Sequence, residues 1–153
     1  MRPIFEVVTA PEGTITAGEV TEIDYQGLMT FRATLVNDGD GPAQNASLNL
    51  PIPNGLINPN ELASCASAVA CGYSITDNGQ CGTLTMTSTD QSQISITGMT
   101  IAEAASCEIT YQLIPALIAA PEQEIEPEIT VTWTNGGASF SPKKDKTMVT
   151  IKS

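Results

Sequence analysis

The stretch Asn37–Gly41 reads NDGDG and places three oxygen-bearing side chains close together. Calcium takes about six to eight oxygen ligands, and Asn37, Asp38 and Asp40 carry oxygens of the right kind. The EF-hand pattern is absent, because no glutamate follows at the required distance. The same residues suit a tight turn, since Asn and Asp cap their own backbone and glycine accepts a positive φ. The sequence favours the turn, with a weak calcium site as the alternative.

Nucleophilic catalysis has no support in the composition. The chain contains no histidine, so no Ser-His or Cys-His pair can form. No glycine-rich phosphate loop precedes a helix. A carboxylate pair of the glycosidase type is compatible with 17 acidic residues, but the run EQEIEPE at 122–128 is typical of solvated loop charge. We expect no enzymatic activity and no cofactor, calcium being the one exception considered.

Four cysteines stand at positions 65, 71, 81 and 107. They form no CxxC pair and have no histidine beside them, which argues against a zinc site. Two disulfides in a secreted or periplasmic domain are the better interpretation, and reduced buried thiols in a cytosolic protein are the alternative. This favours an extracellular location.

The length, composition and charge of the chain indicate one globular domain and argue against nucleic acids and membranes as partners. The 153 residues suffice for one domain, and 41% hydrophobic with 15% charged residues is a globular composition. The net charge of -11 disfavours binding to nucleic acid and to anionic membrane surfaces. No apolar run approaches the roughly 18 residues that cross a bilayer, so we expect no membrane insertion.

Apolar residues alternate with polar ones along most of the chain, which predicts half-buried strands of an antiparallel sheet. The strand-like segments lie at 4–8, 28–36, 46–53, 83–89, 94–99, 107–113, 128–133 and 147–152. Trp133 is in phase with Ile129 and Val131, which indicates a core position rather than a ligand platform. The sequence predicts an all-β, immunoglobulin-like antiparallel sandwich of about seven to nine strands.

Helix signals are weak, and Asn58–Gly72 is the one place where a short helix is expected. A sandwich is preferred to a barrel because Pro51 and Pro53 break the end of one strand and suit an open edge. The run KKDK at Lys143–Lys146 is interpreted as a charged loop or an edge-strand guard, with a docking patch as the alternative.

The stretch from Phe31 to Leu56 resembles the bacterial surface "conserved repeat domain" (domain of unknown function eleven) and related immunoglobulin-like adhesin modules. Matching positions in this first block are Asn37, Gly39, Pro42, Ala43, Asn45, Pro53, Gly55 and Leu56. A second block matches at Cys81, Ile101, Ala102, Ser106 and Cys107, with Ala104–Ala105 where the relatives usually have glycine. The resemblance covers residues 26–134 and implies a surface, adhesin-like or filamentous protein without catalytic residues.

Within this resemblance, Cys81 and Cys107 flank the second block and begin strands that could face each other. That favours the pairs Cys81–Cys107 and Cys65–Cys71 among the three connectivities that four cysteines allow.

The chain is interpreted as a single domain, 1–153, made of an N-terminal strand and connection (1–25), the segment of the resemblance (26–134) and a C-terminal loop and strand (135–153). Both terminal segments are strand-like and could close their own sandwich or join neighbouring subunits. The candidate assembly residues are Phe5, Val7, Met148 and Ile151.

Together these features predict a non-catalytic, extracellular structural module of a bacterial surface protein or filament. Two disulfides would stiffen it, and strand edges or termini would join it to neighbouring copies or domains. A ligand-binding adhesin domain, with or without calcium, is the alternative.

Overall fold

The computed structural model describes residues 1–9, 15–16, 19–20, 29–52, 56–57, 75–89, 93–115 and 122–152. Within these ranges the chain is all β. The strands are β1 (Arg2–Thr9), β2 (Ile15–Thr16), β3 (Glu19–Val20), β4 (Met29–Val36), β5 (Ala43–Pro51), β6 (Leu56–Ile57), β7 (Thr76–Asp77), β8 (Gly82–Thr89), β9 (Gln93–Ile101), β10 (Ser106–Pro115), β11 (Glu122–Ile125), β12 (Glu128–Asn135), β13 (Ala138–Ser139), β14 (Lys143–Lys146) and β15 (Val149–Lys152).

Two larger sheets form a sandwich. One has the order β1-β4-β10-β6, with β7 also pairing with β10, and the other has the order β13-β12-β5-β9-β8, with β14 also pairing with β12. A smaller sheet has the order β11-β15-β3-β2. All pairs in the two larger sheets are antiparallel, as the alternation of apolar and polar residues predicted.

The core lies between the inward faces of the two larger sheets. Along β12, Ile129, Val131 and Trp133 are buried while the intervening threonines are half-buried, so Trp133 is a core residue as the sequence indicated. Three aromatic rings stack across β1, β4 and β10, with centroids 5.6 Å apart for Phe5–Phe31 and for Phe31–Tyr111.

Tyr111 shows how the core satisfies a polar atom. Its hydroxyl donates a hydrogen bond of 2.9 Å to the carbonyl oxygen of Pro51, and burial raises the pKa of Tyr111 well above its ordinary value. Pro51 is the last residue of β5, which lies in the middle of its sheet. The expectation of an open edge there was wrong: proline is tolerated because it ends the strand.

The predicted sandwich is confirmed, since seven strands of eight to ten residues build the two larger sheets. The structure adds short strands that the alternation did not reveal. Within the described ranges there is no helix, hence none long and apolar enough to cross a membrane. The short helix expected at 58–72 lies outside the described residues.

The two ends of the sandwich differ. The start of β1, the end of β4 and the start of β10 meet at one end, because Val36 faces both Arg2 and Ser106. We call this the turn end, since the NDGDG turn follows Val36. β5 starts just after this turn and pairs antiparallel with β12, so β12 starts at the opposite end, which we call the tail end. β11 leads into the start of β12 and pairs with β15, so both strands lie at the tail end.

Candidate functional site

Asn37 organises the turn end. Its side chain is only 4% exposed, and its Nδ2 lies 3.0 Å from the carbonyl oxygens of Gly41 and Ile101 and 3.2 Å from that of Ala102. Its Oδ1 accepts a hydrogen bond of 3.2 Å from the backbone N–H of Gly39. The amide therefore ties the NDGDG turn to the end of β9.

The corner between β9 and β10 is fastened to the same residue. The N–H of Asn37 donates to the carbonyl of Ala105 at 2.9 Å, and its carbonyl accepts from the N–H of Ala104 at 3.0 Å. Ala104 has a φ of 64°, the left-handed region that glycine adopts at little cost. Ala104 is therefore an alanine in a backbone conformation that favours glycine.

A disulfide lies close to this corner. Cys81 and Cys107 are bonded, with Cα atoms 4.8 Å apart and a sequence separation of 26, which is the pairing that the resemblance favoured. Asn78 braces the bonded segment, because its Nδ2 donates to the carbonyl of Ser106 at 2.9 Å and its Oδ1 accepts from the N–H of Glu108 at 3.1 Å. The expected partners Cys65 and Cys71 lie outside the described residues.

The three candidate calcium ligands point to different partners. Asn37 is turned inward, and Asp38 is exposed with its Oδ1 2.8 Å from the Met1 ammonium. The hydrogen bond from that ammonium, and then its charge, lower the pKa of Asp38. The carbonyl of Asp40 accepts from Nδ2 of Asn135 at 2.8 Å. Among the described residues, no group of three His, Cys, Asp or Glu side chains is placed to hold a metal ion.

A cleft of about 450 Å³ opens beside the turn, and it is lined by Gly41, Pro42, Trp133, Asn135, Phe140 and Lys143 among others. Phe140 stacks on Trp133 with ring centroids 5.3 Å apart, and 45% of Phe140 remains exposed. The buried tryptophan thus supports an accessible ring on its outer side. Nothing in the sequence near Phe140 indicates this role, because only the fold brings the ring to a residue of β12.

The candidate assembly residues of the first strand pack inside the molecule. Phe5 and Val7 are 3% and 2% exposed, and β1 pairs with β4 from Arg2 to Thr9. At the other terminus, β15 pairs with β11 and with β3, and Ile151 lies opposite Gln123. Met148 is half-buried just before β15. Both terminal strands are therefore paired within this chain.

Two charged contacts hold β1 from opposite sides. On the β4 side, Glu6 lies directly opposite Arg32, and its Oε1 is 2.9 Å from Nε and 2.5 Å from Nη2 of Arg32. On the other side, Asp145 Oδ2 accepts a hydrogen bond of 2.7 Å from the N–H of Phe5. The run KKDK is thus strand β14 and not a loop. Asp145 covers part of the edge of β1, as expected of a residue that protects an edge strand.

No family model matches the chain, and no curated protein matches it either. Solved structures do match. BcpA, the major pilin subunit of Bacillus cereus, gives a TM-score of 0.55 at 8% identity, over 99% of this chain and 40% of that one. The RrgA Jo.In complex gives 0.51 at 12% identity over 74% and 66%. The collagen adhesin (CNA) from S. aureus gives 0.50 at 11% identity over 82% and 45%.

These likenesses concern the fold alone, because the identities are low and the chain spans less than half of the Bacillus cereus pilin and of the S. aureus adhesin. No family model supports the resemblance to the conserved repeat domain. The solved structures agree with the immunoglobulin-like sandwich that the resemblance implied. The chain shares its fold with immunoglobulin-like domains of bacterial surface pilins and adhesins.

Proposed function

We propose that the chain is a load-bearing, non-catalytic module of a bacterial surface protein or filament, located outside the cell and joined to neighbouring copies or domains. The observation that carries this proposal is the position of its two terminal strands. β1 begins at the turn end, whereas β15 pairs with β11 at the tail end. Neighbouring modules attached to the two termini would therefore pull along the length of the sandwich.

Force applied in this direction would load β1 in shear. Its N-terminal end lies at the turn end and the strand runs toward the tail end, antiparallel to β4. Pulling Arg2 outward would slide β1 along β4, so the hydrogen bonds of the ladder would share the load and not open one after another. The Glu6–Arg32 ion pair and the contact from Asp145 to Phe5 would resist the same sliding.

Other parts of the proposal follow from the sequence and the fold together. Membership in the conserved repeat domain type is supported by Asn37, Gly39 and Pro42, which build the turn between β4 and β5. Stiffening by a second disulfide, Cys65–Cys71, would add to the Cys81–Cys107 bond. The absence of catalysis is supported by the lack of histidine in the chain.

The Glu6–Arg32 pair provides the test of the load-bearing function. In single-molecule pulling between residues 1 and 153, we expect Glu6→Gln to lower the unfolding force, because it weakens a pair that lies directly across the sheared ladder. Forced unfolding reports the unfolding barrier, so the quantity to compare is the force distribution at a fixed loading rate.

Ser95→Ala is the matched control, since it removes the hydrogen bond of 3.0 Å from Ser95 to Asn49 Oδ1, in the other large sheet. We expect its unfolding force to equal that of the unmodified chain. Equal losses of force in both variants would contradict a load path through β1 and β4.

A second candidate function, a ligand-binding adhesin domain, is favoured by the cleft beside Phe140. A half-exposed ring next to a lysine and an asparagine could stack against a sugar ring or an apolar side chain. Phe140→Ala separates the two functions, because it should abolish ligand binding in the adhesin case and leave the unfolding force unchanged in the load-bearing case.

A further inference from the structure

The strand β8 forms one edge of the six-stranded sheet. Among the described residues, β9 is the only strand that pairs with it. An edge strand presents unpaired backbone N–H and C=O groups, and proteins usually protect such edges with charges, proline or a covering segment. β8 is eight residues long and reads GTLTMTST, without a charged residue or a proline.

Other edges of the sandwich carry the protection that β8 lacks. Asp145 accepts a hydrogen bond from the backbone of β1, and β14, on the far side of the same sheet as β8, contains three lysines and an aspartate. On β8, two register shifts interrupt the ladder with β9, one between Gly82 and Thr85 and one between Met86 and Ser88. The regular part of the edge is therefore centred on Thr85 and Met86.

The strands that form this side of the sheet carry no charged residue. None of the neighbouring strands β5, β9 and β8 contains Asp, Glu, Lys or Arg, although the whole chain has 17 acidic and 6 basic residues. Their outward side chains among the described residues are Thr, Ser, Asn and Gln, together with Pro51 at the end of β5. Two copies of a chain with net charge -11 repel each other, but at this edge they can approach without bringing like charges together.

We propose that β8 pairs antiparallel with β8 of a second copy about a twofold axis, which makes one continuous sheet across the two molecules. A twofold contact uses the same patch on both partners, so the patch must be self-complementary. β8 meets this condition, because Thr83 and Thr85 lie on one face and Leu84 and Met86 on the other. Across the twofold axis, threonines would therefore meet threonines, and the apolar side chains would meet apolar side chains. Met86 is 38% exposed, and the pairing would cover it with the same region of the partner.

This lateral contact is independent of the load path through β1 and β4. It would join copies side by side, whereas attachment through the two termini would join modules end to end. A monomer in which β8 stays unpaired could therefore still bear load, and a dimer could form even if the chain bore none. Sedimentation equilibrium and pulling experiments thus report on the two proposals separately.

Sedimentation equilibrium of the full chain from micromolar to millimolar concentration tests the contact. We expect a monomer–dimer equilibrium that high salt strengthens, because salt screens the repulsion between the two acidic molecules. Thr85→Lys should weaken the dimer by roughly fivefold or more, since it places like charges opposite each other in the new strand pair. Thr85 is exposed, so the variant should fold.

Ser139→Lys is the matched control, because it adds the same charge at an exposed position of β13, on the opposite edge of the same sheet. The dimer should persist in this variant. Should Thr85→Lys lower the melting temperature markedly, Thr83→Lys, also exposed, takes its place. A chain that stays monomeric in high salt, a dimer unaffected by lysine on β8, or equal weakening by Ser139→Lys would each overturn the proposal.

Discussion

Replacement of Cys81 and Cys107 by alanine is expected to lower the free energy of unfolding by about 3.5 kcal/mol, from the loop entropy of a 26-residue separation. The bond joins the start of β8 to the start of β10, and thus one large sheet to the other. Urea denaturation of the unmodified chain and the variant measures the difference. The loss should be of the order of half the stability of an ordinary domain.

The Cys65/Cys71 double alanine variant provides the comparison. If these two cysteines are bonded, the same entropy relation assigns their shorter loop about 2 kcal/mol, so the variant should lose less stability. Peptide mapping under non-reducing conditions checks the connectivity directly. A peptide that joins Cys65 to Cys107 would refute the assignment, as would equal losses in the two variants.

Asn37→Asp is expected to cost about 3 to 5 kcal/mol of unfolding free energy, because it leaves a buried charge without a partner. The amide of Asn37 faces the carbonyls of Gly41, Ile101 and Ala102. An aspartate would present a negative oxygen to these carbonyls and would leave them without their donor. Thermal and urea unfolding at neutral pH measure the loss.

The same substitution distinguishes the two interpretations of the NDGDG stretch, a simple turn and a calcium site. A calcium site at the NDGDG stretch would gain a carboxylate ligand, so calcium would stabilise the Asn37→Asp variant and EDTA would reverse the effect. The turn predicts a loss that calcium does not restore. Asp38→Asn is the control, because Asp38 is exposed and contacts the Met1 ammonium, and we expect its effect to be small.

The alternation of apolar and polar residues predicted the sandwich and much of its core. In the predicted strand at 28–36, Met29, Phe31, Ala33 and Leu35 alternate with polar residues, and all four are buried on β4. A period of two is a local property of a strand, so the chain itself carries this information. The NDGDG turn was predicted for the same reason, since Asn, Asp and Gly act on their own backbone.

Contacts between distant segments could not be predicted in this way. Asp145 meets Phe5 across 140 residues of sequence, and the alternation of neither segment indicates the other. The run KKDK has no apolar alternation, yet it forms β14 because the edge of β12 offers it a backbone partner. Phe140 likewise gains a role only because the turn after β12 returns it to Trp133.

The dependence of the unfolding force on pulling direction tests the load-bearing function most directly. Handles at residues 1 and 153 would shear β1 along β4, whereas handles at residues 1 and 40 would peel the two strands apart from the turn end, since Arg2 pairs with Val36 there. The proposed function predicts a distinctly higher unfolding force for the first pair of handles. An equal or lower force along the 1–153 direction would contradict it.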